Sequence, residues 1–140
     1  MPKFRFTRIM EVKEKVLEHR QRELETALMT MRTISDHILS LDREIAFHHN
    51  DLSVRCLTGN EFSLVISHLE YLDRAKILAL AEKKRAEGVV DGLRKELAAL
   101  AMELKVFEKL KSKSLQAEKK KERKREQKGL DEIALRREAT

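Results

Sequence analysis

The sequence predicts an all-α fold, a long antiparallel two-helix coiled-coil hairpin with a protruding basic C-terminal helical extension. Three observations predict it: apolar residues recur every seven positions in both halves, one proline and four glycines punctuate 140 residues, and the surplus of positive charge sits at one end. A repeat of seven holds one helix face against a partner, because 3.5 residues per apolar turn is slightly fewer than the 3.6 of a free α-helix. With 39% charged residues, 4% aromatics and no Trp, the chain has little bulky material for a central core. Burial has to run along a narrow seam. Residues 1–140 read as one such hairpin, with a first arm over about 4–57, a turn at about 58–60, a second arm over about 61–128 and a tail at 129–140.

In the first arm, steps of seven from Met10 land on Leu17, Leu24, Met31, Ile38, Ile45 and Leu52, an unbroken apolar lane. Its companion lane is mixed: Lys13, Arg20, Ala27, Ile34, Leu41 and His48. Ile9 and Val16, beside the lanes, are expected to supplement the seam where the companion lane is cationic. The turn is assigned to "CLTGNEF", where Gly59 is expected in a left-handed conformation and Thr58-Gly59-Asn60-Glu61 has the spacing of a capping box. A connection this short makes the arms antiparallel neighbours, the first about 50 residues and roughly 75–80 Å long at 1.5 Å per residue.

In the second arm, Val65, Leu72, Ala79, Ala86, Leu93, Leu100 and Phe107 form one lane. Phe62, Leu69, Val90, Leu97 and Leu104 form most of the other, interrupted by Lys76 and Lys83. A seam lysine weakens packing but can fix register, and its stem still covers apolar surface. Gly88 and Gly92 in "EGVVDG" admit a rival three-helix bundle, each glycine costing a helix about 1 kcal/mol against alanine. The register of seven passes through Ala79, Ala86 and Leu93 without a slip, which favours one helix with both glycines outward.

The extension follows from unequal arms. Pairing outward from Gly59 sets Phe4 opposite a position near Ser112, so the residues beyond have no partner within the chain. Met1–Leu57 holds ten basic and nine acidic residues, Thr58–Leu110 nine of each, and Lys111–Thr140 eleven and six, so the last segment carries +5 of the net +6. The block Lys119–Lys128 has seven cations and two carboxylates. It admits three readings: a solvated helical surface with internal Glu–Lys pairs, a nucleic-acid contact, or a contact with an acidic protein surface. No Phe, Tyr or Trp follows Phe107, so nucleic acid would find phosphate attraction but no stacking platform. A balanced body with one basic end, unpaired in the hairpin, points to an acidic protein partner met at that end.

Catalysis finds no support. There is no Gly-rich phosphate loop, nucleophile elbow, or Cys/His pair at ligand spacing, so no enzyme and no cofactor are expected. His48, His49 and Asp51 do not make a metal site on one helix, since adjacent positions point about 100° apart. Cys56 is alone, which fits a reducing cytosol. No apolar run approaches the roughly 18–20 residues of a membrane span, and "MPKFRFTRIMEVKEK" lacks the apolar stretch of a signal peptide, so a cytoplasmic protein without membrane insertion is expected. Beyond the turn, "LVISHLEYLDRAK" holds Val65, Ile66, Leu69, Tyr71 and Leu72, more than a two-position seam needs. Part of that face is expected to be exposed as a partner site.

The opening "KFRFTRIMEVKEKVLEHRQRELETAL", the two-arm pattern, the apolar stretch after the turn, and "EKLKSK" followed by "EQKGLDEIALRR" together resemble the flagellar export protein FliJ family, over nearly the whole chain. The resemblance implies a non-enzymatic component of the flagellar type III export apparatus, peripheral to the inner membrane and shaped like the central stalk of a rotary ATPase. It implies three partners: the hexameric export ATPase (FliI-like), whose ring pore takes the end carrying both termini, the membrane export gate (FlhA-like), and export chaperones. On that pattern Arg5, Arg8, Lys13, Lys119, Lys120, Lys121, Arg123, Lys124, Arg125 and Lys128 face the ATPase ring, and Val65, Leu69, Leu72 and Lys76 form the gate contact. Val65 stands where a bulky aromatic is commoner and Lys76 where a histidine can occur. The YscO-like stalk proteins of injectisomes share these features, although "LDEIALRR" leans flagellar; a basic nucleic-acid-associated or scaffold coiled coil is the alternative from another class.

Overall fold

A computed structural model describes residues 4–139 as two helices and no strand: α1, Thr7–Val54, and α2, Gly59–Ala139. They pack against each other as an all-α hairpin. Contacts divide the chain into two units, one comprising His19–Leu97 and the other the residues up to Glu18 with those from Ala98 onward.

The unit His19–Leu97 contains the chain reversal. Its core is Ile38, Leu41, Leu72 and Ala79, flanked by Ile34, Ile45 and Ala75. These are lane residues, and within this unit every residue of the four lanes is buried or half-buried except Phe62. The helices meet at a constant offset: Arg20 faces Glu96 at 3.0 Å, His48 faces His68, and Arg55 faces Glu61 at 3.7 Å. Each step of seven along α1 is thus a step of seven back along α2. Lys76 Nζ lies 2.7 Å from Asp42 Oδ1, so the seam lysine does hold a register-specific partner.

The reversal differs from the expected turn. Its residues are Arg55-Cys56-Leu57-Thr58, and Gly59 is already the first residue of α2. No residue among those described, glycine included, has a positive φ. Thr58 explains why. As N-cap, its Oγ1 accepts from the Glu61 N–H at 3.3 Å and its carbonyl from the Phe62 N–H at 2.9 Å, which winds Gly59 and Asn60 into the first turn. The Glu61 carboxylate lies near Arg55, which also approaches Asp51 at 3.7 Å, so one guanidinium ties the end of α1 to the start of α2.

α2 is continuous through Gly88 and Gly92, both exposed, with nothing within 4 Å of where a Cβ would stand. It also continues through Gly129 to Ala139, across the expected boundary between second arm and tail.

In the second unit Met10 and Leu104 are buried, and the rings of Phe6 and Phe107 lie 5.7 Å apart. Lys13 pairs with Glu103 at the same offset as the pairs above. Ile9 and Val16 remain 45% and 38% exposed and do not supplement the seam as expected. Both lie at the edge of the helix contact, lining one open hollow with Val12, Lys13 and Leu100.

Candidate partner-binding surfaces

The α2 lanes lose their apolar character after Phe107. Their next members are Lys111, Ser114, Glu118, Lys121, Arg125 and Lys128, none of which can continue a dry seam. The last buried residue of α2 is Leu104, and every residue from Lys119 to Lys128 is exposed. Met10 and Glu14 of α1 share a shallow hollow with Glu108, Leu115 and Lys119, so the first turns of α1 lie beside the start of this segment.

Charge on the extension is sorted by face. Residues four apart are neighbours on a helix, and here such pairs carry like charge: Lys119 with Arg123, Lys120 with Lys124, Lys124 with Lys128, Lys121 with Arg125. Glu118, Glu122 and Glu126 form a single acidic stripe by the same spacing. Among the described residues, none of the seven cations has a carboxylate within 4.0 Å. Like-charge neighbours at this spacing each destabilise a helix by about 0.2–0.5 kcal/mol. Three positions apart, by contrast, Glu118–Lys121, Lys119–Glu122, Glu122–Arg125 and Arg123–Glu126 carry opposite charge, although among the described residues none of these pairs closes to 4.0 Å.

The other cations assigned to the same end divide. Arg5 and Arg8 are exposed, the Arg5 guanidinium standing 5.8 Å from the centre of the Phe6 ring. Lys13 is committed to Glu103 and half-buried, a register residue and not a free contact.

The gate-contact assignment is altered by burial. Leu69 is 5% and Leu72 2% exposed, both packed inside the hairpin, so neither offers a surface to a partner. Their lane positions explain this, since both face α1. Val65 is half-buried, and the Lys76 ammonium is engaged by Asp42. What α2 exposes nearby is Phe62, Leu64 and Tyr71. Sequence reasoning also missed a ring ladder across the two helices, in which Phe47 meets His48 at 5.4 Å, His48 meets His68 at 4.8 Å, and His68 stacks on Tyr71 at 6.1 Å. The signal was the constant offset, which already set His48 opposite His68.

Arg20 Nη1 donates to Glu23 Oε2 at 2.8 Å, and this hydrogen bond lowers the Glu23 pKa while raising that of Arg20. Arg20 also pairs with Glu96 of α2, and Glu23 lines an open hollow with His19, Val89 and Leu93. Among the described residues no three metal-ligating side chains converge, and no helix is long and apolar enough to cross a membrane.

Residues 2–139, nearly the full chain, match the family model described as Flagellar FliJ protein. The chain belongs to the flagellar FliJ family. No curated protein and no solved structure matches it. FliJ membership makes the chain a component of the flagellar protein export apparatus, which is the coarse function the hairpin serves.

Proposed function

We propose that this FliJ protein is a non-enzymatic, stalk-like coupling element that binds the export ATPase ring through its basic extension and reaches the membrane export gate with its turn end. The observation that carries the proposal is the extension itself: ten consecutive residues, Lys119–Lys128, exposed and with cations stacked on cations. Seven cations against two carboxylates leave a net +5 in ten residues, which an acidic surface would complement on contact. Lys119, Lys120, Lys121, Arg123, Lys124, Arg125 and Lys128 supply the contact, with Arg5 and Arg8 beside them in the same unit. The export role of the family makes the ATPase the partner to test first. Export chaperones and a peripheral position at the inner membrane belong to the same proposal.

Replacing Lys119, Lys120 and Lys121 together with Glu is expected to weaken binding to the purified ATPase about tenfold or more at low salt. Helicity by circular dichroism should be retained, because all three side chains are exposed and the substitutions turn Lys119–Arg123, Lys120–Lys124 and Lys121–Arg125 into opposite-charge pairs. Equal affinity in wild type and variant would remove the extension from the ATPase contact. At the turn end, the gate contact is reassigned from Leu69 and Leu72 to the exposed Leu64 and Tyr71, with Val65 at the edge and Lys76 held by Asp42.

A further inference from the structure

The ring ladder in the unit His19–Leu97 contains two metal-ligating side chains on different helices. His48 is half-buried, His68 exposed, and their ring centroids are 4.8 Å apart with an interplanar angle of 83°. Two imidazoles bound to one tetrahedral ion at about 2.0–2.1 Å hold their ring centres roughly 5 Å apart, because each centre lies about an ångström beyond its ligating nitrogen. The pair therefore already has the separation of two ligands of one ion, and rotation of the exposed His68 ring is the adjustment that remains.

We propose that His48 and His68 form an interhelical two-histidine site for a late first-row divalent cation, Zn²⁺, Ni²⁺ or Cu²⁺. Imidazole nitrogen suits these ions and not Mg²⁺ or Ca²⁺, which prefer oxygen. No third ligating side chain converges among the described residues, so water fills the remaining positions and the site is open. Two neighbours set the rings: Phe47 meets the edge of His48, and Tyr71 stacks on His68 with an interplanar angle of 18°. Since the ligands come from both helices, the ion binds only the closed hairpin and stabilises it near the turn. The site is separate from the ATPase contact, while Tyr71, which stacks on His68, also belongs to the proposed gate surface.

The test uses the full chain titrated with NiCl₂, read by calorimetry and by thermal unfolding. One ion per chain is expected, with a rise in the unfolding midpoint that a chelator reverses. His48→Gln or His68→Gln should bind at least tenfold more weakly and lose the rise, whereas His49→Gln, about 100° round the helix from His48, should behave as wild type. Three results overturn the proposal: no saturable binding, equal affinity in wild type and His68→Gln, or a nickel-induced doubling of mass by light scattering, which would place the two imidazoles on different molecules.

Discussion

Leu72 is 2% exposed and Tyr71, its neighbour, 61% exposed, so one step along α2 separates core from surface. Leu72→Ala is expected to cost about 2–5 kcal/mol in chemical denaturation, combining lost transfer energy with the cavity left between the helices. Tyr71→Ala, which loses only the ring stacked on His68, should change stability by less than about 1 kcal/mol. A partner assay on both variants then separates contact from packing: a surface role predicts loss of gate binding in Tyr71→Ala at unchanged stability. Glu23 gives a pH-dependent counterpart. Arg20 holds its carboxyl below the ordinary value of 4.5, so the stabilisation from this pair is fully present above that value and disappears as pH falls through the lowered folded one. In an acid scan, the stability difference between wild type and Glu23→Gln should narrow over that range, and a constant difference would assign Glu23 no linkage.

The continuity of α2 carries a prediction at the scale of the helix. Gly88 and Gly92 are helical, exposed and free of any atom a methyl group would meet. Gly88→Ala should therefore stabilise by about 0.4–1 kcal/mol through helix propensity and a less flexible unfolded chain, measured by denaturant midpoint. Destabilisation would mean that the outward face at residue 88 is covered by something. The lanes were legible in the sequence from Met10 to Leu52 and from Val65 to Phe107, because periodicity is a local property that needs no knowledge of the partner. What sequence hid was local geometry and cross-helix chemistry. Gly59 was assigned a left-handed turn because glycine permits one, but Thr58 caps the helix before it. Lys13 and Arg20 read as flaws in a lane until Glu103 and Glu96, far away in sequence, met them. The surplus of apolar residues after the turn was visible; which of them α1 covers depended on the lanes, and those already claimed Leu69 and Leu72. The basic block and its stacking of like charges were both legible, since the second arm was expected to stay helical to about 128.

Across the whole molecule, charge is balanced up to Leu110 and surplus after it. Salt should therefore weaken ATPase binding steeply, through the extension, while barely changing hairpin stability, whose seam is apolar with a few exposed ion pairs worth about 1 kcal/mol or less each. The slope of log affinity against log salt is expected to be shallower in the triple Lys→Glu variant, and an unchanged slope would place the electrostatic contact elsewhere. The offset that sets Lys13 against Glu103 and Arg20 against Glu96 has one more effect. Two copies aligned side by side in the same direction would bring Lys13 to Lys13, Arg20 to Arg20, and Glu96 to Glu96. Each such encounter is repelled at the very positions that attract when the facing helix runs backward. An antiparallel pairing of α1 with α2 is thus the arrangement these charges sort for, ahead of parallel zipping with a sister molecule.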